Sequence, residues 1–540
     1  MVLRSLCSKL TVCSQINIHK MVVKISKVLL LDNVDPSAKT ILEENGIAAT
    51  LSKEKFTTPE LIKELQAYDG VVVRSATKMT AEIIENCPNL KIIGRAGVGV
   101  DNVDIKSATK NGVVVMNTPG GNTLSAAEHT CTLICCLSRN VPAADASMKA
   151  GKWDRKAFMG HELYGKTLGI IGLGRIGREA GIRMQSFGMK TIGFDPLVSK
   201  EEAAKYNIEW MQTDEIWPEA DYITVHTPLI PQTKGLLNDA SFAKCKKGVR
   251  VINCARGGII DEDALLRALQ SGQCGGAGLD VYVEEPATNM PLVQHPKVVA
   301  CPHLGASTKE GQARCGKEVA EQFVNVAKGT DFFGVLNAPA LTHANGIEDW
   351  ITLATQLGKV AKSFFKVNAI QCNIASNGNL LTRSGRCLEA AFSAGYIQSD
   401  YSSVNLINAA ALANNAGVNI STSNSKEKLF NFANSCSIEI KAETKAVSLT
   451  GAVVNGKPVL VAIDNRPFSF PLPMSGSFLI FQSSDIASAI GMVTNAGASL
   501  ASLACTTGDG DKWVAVTTVA ALSEDVLSRI GIPNIIAVNF

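Results

Sequence analysis

The stretch from Gly165 to Asp195, GKTLGIIGLGRIGREAGIRMQSFGMKTIGFD, constrains this chain more than any other. The apolar run Thr167–Ile171 predicts a buried strand. Gly172-Leu-Gly174-Arg-Ile-Gly177 then leads directly into a helical pattern, and a second apolar run, Lys190–Phe194, ends in Asp195. Strand, glycine turn, helix and strand in this order form a βαβ unit carrying a dinucleotide fingerprint. Gly172 permits the tight turn, Gly174 lets the backbone approach a pyrophosphate, and Gly177 lets helix and strand pack closely. The helix N-terminus offers unpaired N–H groups and the positive end of its dipole to that pyrophosphate. Asp195 places a carboxylate where it can accept hydrogen bonds from ribose hydroxyls and repel a 2′-phosphate, so NAD is expected rather than NADP.

The rest of the chain must house further domains, because 540 residues exceed what one core organises. With 46% apolar and 19% charged residues, the composition is that of a globular protein. A formal charge of +3 points to no nucleic-acid partner. No apolar run reaches the roughly eighteen residues that span a bilayer, so no membrane partner is expected. The fifteen cysteines are scattered without a CxxC. Cys131, Cys135 and Cys136 share one helical pattern and read as small core residues rather than metal ligands, so no metal is expected. Residues 1–20 hold three basic residues and no acid. They read as a disordered extension before Met21; a mitochondrial-type presequence is the weaker alternative, lacking an amphipathic arc.

Lys27–Asp32, Val71–Val73, Lys91–Ile93 and Val113–Met116 are short apolar runs separated by helical patterns. They predict a first doubly wound parallel sheet. Thr118-Pro-Gly-Gly-Asn is a breaker cluster and a hinge, followed by one long helix from about Thr123 to Ala150. Further strands are expected at Tyr222–Val225, Val249–Asn253, Gly276–Asp280 and Val298–Cys301. Residues 336–470 suggest a second α/β module, with Arg466–Pro473 a proline-containing connector. The last segment, 471–540, has the βαββαβ order of an ACT-like domain.

Asn253-Cys-Ala-Arg-Gly-Gly, Leu279-Asp-Val-Tyr-Val-Glu-Glu-Pro and Pro302-His-Leu-Gly-Ala-Ser-Thr, with the glycine fingerprint, resemble the D-isomer-specific 2-hydroxyacid dehydrogenases across residues 22–330. The resemblance is most specific at GRAGVGVDNVD (94–104), NTPGGNTLSAAEHT (117–130) and GKWDRKAFMG (151–160). It implies a substrate domain (21–117 with 307–335), an NAD domain (118–306) and the return of Lys309–Lys328 to the first domain. The implied reaction is oxidation of D-3-phosphoglycerate to 3-phosphohydroxypyruvate by NAD, opening serine biosynthesis, in a cytoplasmic homotetramer. A general hydroxyacid reductase and an NAD-sensing co-repressor share the same catalytic residues and stand as alternatives.

Oxidising a secondary alcohol needs a base for the hydroxyl proton, a partner for that base, and a cation for the neighbouring carboxylate. His303, between a strand end and a glycine turn, is the expected base. A carboxylate beside the ring would fix its tautomer; Glu284 and Glu285 both offer one, and the resemblance implies Glu285, five residues after Asp280. Arg256, before Gly257-Gly258, can grip a carboxylate through its fork. His226 is read as structural. The resemblance further implies cofactor contacts from Val98, Arg175, Ile176, Thr227, Cys254, Ala255, Arg256, Asp280, His303, Leu304, Gly305 and Ala306. A phosphate needs more cations, and Arg74, Arg95 and Arg155 are the candidates. Gly97 and Gly99 would offer backbone N–H groups to the substrate carboxylate.

Overall fold

A computed structural model describes residues 23–365, 370–401, 403–443, 445–508 and 510–540. The extension at residues 1–20 lies outside the described residues. Four sheets organise the described residues. The first contains β1 (Lys27–Leu30), β2 (Ala48–Leu51), β3 (Gly70–Val73), β4 (Ile92–Arg95) and β5 (Val114–Asn117), all parallel in the order β2-β1-β3-β4-β5. Val71, Val72 and Val73 are wholly buried, because helices cover both faces of a parallel sheet and make its strands apolar throughout.

The second sheet comprises β6 (Thr167–Ile171), β7 (Lys190–Phe194), β8 (Glu209–Trp210), β9 (Tyr222–Val225), β10 (Val249–Asn253), β11 (Cys274–Leu279) and β12 (Val298–Ala300). Its order, β12-β11-β10-β9-β6-β7-β8, is parallel throughout and reverses direction between β6 and β9. Ligands of such sheets bind at the carboxyl ends of the strands beside this reversal.

The long helix expected over 123–150 is two helices, Thr123–Arg139 and Val141–Lys149. Asn140 adopts a left-handed φ of 54° and Pro142 follows in the new first turn, so the i→i−4 ladder stops there. Cys131 and Cys135 pack, partly buried, against the core around Leu133 and Leu168.

The helix Lys309–Lys328 returns to the first sheet, starting at a Thr308 cap and ending at Gly329 with φ 69°. Its Phe323 is wholly buried. A Cβ on Gly94 would stand 2.5 Å from Phe323 and 2.7 Å from Val319, so only glycine lets β4 meet this helix. The core of this region continues past residue 335: Ala338 and Leu341 are buried in it, and Asn337 hydrogen-bonds the backbone of Val113 and Val115.

The third sheet contains β13 (Ile370–Asn377), β14 (Val418–Ser425), β15 (Ser435–Lys441), β16 (Ala446–Val454), β17 (Lys457–Ile463) and β18 (Arg466–Pro473), in the order β14-β13-β15-β16-β17-β18. Thus Arg466–Pro473 is a strand rather than a connector. Its prolines are tolerated because β18 lies at the sheet edge, where missing N–H donors break few ladder bonds. The fourth sheet holds β19 (Ser477–Ser483), β20 (Leu500–Cys505), β21 (Lys512–Thr518) and β22 (Ile536–Asn539), antiparallel in the order β20-β21-β19-β22. With helices Ile486–Asn495 and Glu524–Arg529 between strands, this is a split βαββαβ unit. Among the described residues, no helix is long and apolar enough to cross a membrane.

Candidate active site and its relatives

Gly172, Asp195, His226-Thr227, Cys254–Arg256, Asp280 and His303 each follow the carboxyl end of a strand of the second sheet. Parallel pairing therefore gathers residues far apart in sequence along one edge. Gly172 turns with φ 99°, and a Cβ there would strike the His226 carbonyl at 2.6 Å. A Cβ on Gly177 would stand 2.1 Å from the Gly172 oxygen, whereas one on Gly174 would meet nothing. Gly174 thus faces open space at the head of the helix Arg175–Gln185, whose first turn no side chain caps. Asp195 accepts Leu173 N and Leu197 N, each at 2.9 Å, which fixes its carboxylate over the turn. The Thr227 hydroxyl is buried without a hydrogen-bond partner, an unmet polar group on the cofactor side of the edge. This open helix terminus, anchored acid and unmet hydroxyl fit NAD.

His303 adopts φ 55°, left-handed for a residue bearing a side chain. The next two backbone N–H groups hold it there: Leu304 N and Gly305 N each donate to the carboxylate of Asp280 at 2.7 Å. Asp280 is wholly buried, and His129 Nε2 lies 3.1 Å from its Oδ1. So Asp280 anchors the turn from below. Nδ1 of His303 pairs with Glu285 Oε2 at 2.8 Å, while Glu284 is engaged by the Thr288 hydroxyl. The other Glu285 oxygen accepts Tyr282 N at 3.3 Å. With Nδ1 tied to a carboxylate, Nε2 is the ring nitrogen left to exchange a proton. His226 differs. Its Nε2 faces Thr224 Oγ1 at 3.0 Å, and burial pulls its pKa to about 4, so it stays neutral.

Arg256 reaches out of the second sheet to the first. Its Nε donates to Asp101 at 2.8 Å and its Nη1 to the Ala255 carbonyl at 2.6 Å. Asn253 fixes this loop by donating to Arg256 O and accepting Ala255 N. A Cβ on Gly99 would stand 1.6 Å from Arg256 Nη2, so glycine is required for the guanidinium to lie there. Arg74 and Arg95 face the same region. Burial first, and then the positive charges of Arg256 and Arg74, pull the Arg95 pKa down to about 10. A Cβ on Gly97 would meet the Arg95 guanidinium at 1.7 Å. The Gly97 N–H, expected to serve the substrate carboxylate, instead donates to the Arg95 carbonyl at 2.8 Å, closing a tight turn. Asp32 holds the Arg74 loop by accepting Arg74 N and Thr77 N.

Arg155 is exposed in the turn after Val141–Lys149 and forms no ion pair among the described residues. Arg175 and Ile176 open their helix, but the Arg175 guanidinium lies 5.9 Å from the Phe333 ring. Val98 contributes its carbonyl to Asn117 Nδ2 at 2.6 Å. Ala306, beside Arg74 and Gly97, lines a small crevice between the loops of the first sheet and the head of the helix Lys309–Lys328.

Residues 131–305 match the D-isomer specific 2-hydroxyacid dehydrogenase NAD binding domain, and residues 346–464 match the D-3-phosphoglycerate dehydrogenase intervening domain. The human D-3-phosphoglycerate dehydrogenase is 49% identical over 503 residues, spanning 90% of this chain and 94% of its own length. The chain belongs to the D-3-phosphoglycerate dehydrogenase family. That of Bacillus subtilis is 41% identical over 472 residues, covering 86% of this chain and 89% of its own. Among solved structures, D-lactate dehydrogenase from Aquifex aeolicus, complexed with NAD and lactic acid, superposes with a TM-score of 0.50 at 28% identity. It covers 56% of this chain and 96% of its own. Apo D-lactate dehydrogenase from Escherichia coli gives 0.53 at 26% identity, covering 57% and 99%. NAD is therefore the cofactor of this dehydrogenase.

Asp101, Asn102 and His129 were not singled out from the sequence of this D-3-phosphoglycerate dehydrogenase family member. Asp101 and Asn102 stand in the GRAGVGVDNVD block itself, and Asn102 donates to the carbonyls of Arg74 and Thr77. Their roles depend on partners 155 and 28 residues away, which no local pattern announces.

Proposed function

We propose that this chain oxidises D-3-phosphoglycerate to 3-phosphohydroxypyruvate with NAD, the first reaction of the phosphorylated route to L-serine. The observation that carries this reading is the placement of three arginines around one loop: Arg95 against Gly97, Arg256 against Gly99, and Arg74 lining a crevice with Gly97. The half-buried Arg95 feels the positive charges of Arg256 and Arg74, which Asp101 offsets in part and a substrate anion would offset further. A substrate with a carboxylate at one end and a phosphate at the other supplies charge to both sides.

In this mechanism Arg256 and the backbone N–H groups of Val98 and Gly99 orient the substrate carboxylate, since that of Gly97 donates to the Arg95 carbonyl at 2.8 Å. Arg74 and Arg95 receive the phosphate. The proposed site holds Arg175, Ile176 and Gly177 at the pyrophosphate and Asp195 at the ribose, with Thr227, Cys254, Ala255, Asp280 and the turn 303–306 toward the remaining parts of NAD. When bound, NAD supplies the hydride acceptor. His303 Nε2 takes the hydroxyl proton as C2 becomes a carbonyl. Glu285 at Nδ1 stabilises the resulting imidazolium and holds the ring in one tautomer. Closure of the cleft about residues 118–122 expels water during the transfer. By the same resemblance the protein is a cytoplasmic homotetramer whose residues 471–540 form an ACT-like module; light scattering on the purified chain tests the assembly.

The deciding experiment is NADH consumption with 3-phosphohydroxypyruvate beside hydroxypyruvate, glyoxylate and pyruvate. A preference for the phosphorylated substrate of about a hundredfold, ~2.7 kcal/mol of transition-state binding, is expected. Equal rates would reduce the protein to a general hydroxyacid reductase.

A further inference from the structure

The pair Arg256–Asp101 is the one ion pair among the described residues that joins the region of the first sheet to that of the second. Asp101 lies on the loop after β4, and Arg256 on the loop after β10. The three nitrogens of the guanidinium have separate surroundings. Nε donates to Asp101 Oδ2 at 2.8 Å, Nη1 donates to the Ala255 carbonyl at 2.6 Å, and Nη2 lies over Gly99. The two anchors come from opposite walls of the cleft. Together they fix the plane of the fork, which a flexible arginine on one wall would not maintain by itself. Asp101 is also the carboxylate that offsets part of the mutual repulsion around Arg95.

We infer that Asp101 is a positioning residue for the carboxylate end of the substrate, acting through Arg256 from across the cleft. It takes Nε, and with Nη1 on the Ala255 carbonyl this presents Nη2 beside the backbone N–H groups of Val98 and Gly99. This inference rests on Arg256 binding the substrate carboxylate. It assigns Asp101 no contact with the reacting atoms. An alternative, in which Asp101 merely occupies the place of the substrate carboxylate, makes the opposite prediction for affinity.

The test compares Asp101→Ala and Asp101→Asn in the full-length protein, with 3-phosphohydroxypyruvate and with unphosphorylated hydroxypyruvate as substrates. Asparagine keeps an oxygen that accepts from Nε–H, whereas alanine keeps none. For Asp101→Ala, KM is expected to rise about tenfold or more, by the same factor for both substrates, because they share the carboxylate and differ in the phosphate. NADH affinity, read by fluorescence, stays within about twofold. Asp101→Asn is expected to recover most of the loss. A KM that is unchanged or lower in Asp101→Ala overturns the inference, as does an equal effect of the two substitutions. A rise confined to the phosphorylated substrate also overturns it and reassigns Asp101 to the phosphate end. Should Asp101→Ala fail to fold, Asp101→Glu, which moves the carboxylate by one methylene, gives the same comparison against Asp101→Asn. Absence of 3-phosphohydroxypyruvate turnover by the wild-type protein would instead refute the assigned reaction, leaving the hydroxypyruvate comparison to judge Asp101.

Discussion

Glu285 Oε2 lies 2.8 Å from His303 Nδ1, joining a loop after β11 to a turn after β12. If this pair carries the proton transfer, His303→Ala lowers kcat by about a hundredfold or more, and Glu285→Gln by about tenfold to a hundredfold. NADH affinity stays within about twofold in both. Steady-state kinetics beside fluorescence titration make the check, and wild-type turnover in His303→Ala would remove this histidine as the base.

Gly99 gives a sharper geometric test. Its substitution by alanine places a methyl 1.6 Å from Arg256 Nη2, so the guanidinium must leave its seat. The expected outcome is a KM for 3-phosphohydroxypyruvate raised about tenfold, ~1.4 kcal/mol, with little change in melting temperature. An unchanged KM would show that the fork works from another position.

Asp195 closes β7 with its carboxylate pinned by Leu173 N and Leu197 N. Replacing it with alanine removes both the acceptor for the ribose hydroxyls and the repulsion of a 2′-phosphate. The kcat/KM ratio for NADH over NADPH is expected to fall by about tenfold or more. A ratio unaltered by this change would mean that specificity is set elsewhere.

His226 links stability to pH. Burial pulls its pKa to about 4 in the folded chain, against an ordinary value of 6.5. Between those values the unfolded chain binds more protons, so this residue makes stability fall as pH drops from 6.5 toward 4 and adds no further loss below. Melting temperature against pH should lose part of its slope in that window in His226→Gln. Superimposable profiles would show that the ring titrates normally.

Phe323 fills the space left by Gly70 and Gly94 between the first sheet and the returning helix. Phe323→Ala is expected to cost about 3–5 kcal/mol, the usual price of a large cavity in a close-packed core. Denaturant unfolding of the full chain measures it.

The glycine fingerprint and the alternating strands of the first two sheets were legible in the sequence because each is local, whereas the choice of Glu285 over Glu284 as the partner of His303, 18 residues on, rested on the family resemblance. Periodicity marks strands, glycine marks tight turns, and short motifs keep their spacing. The break at Asn140 was missed because one left-handed residue barely disturbs an apolar pattern that resumes on its far side. The strand β18 was missed because its prolines signal a connector unless the sheet edge is known. Tertiary structure alone decided which charges meet. Asp101 and Arg256 are 155 residues apart, and His129 and Asp280 lie on a helix and at a strand end. Sequence sets what each residue can do. The packing of the two sheets and their covering helices sets which partner each one finds, because contact energies fall off within a few ångströms and chain distance does not report them.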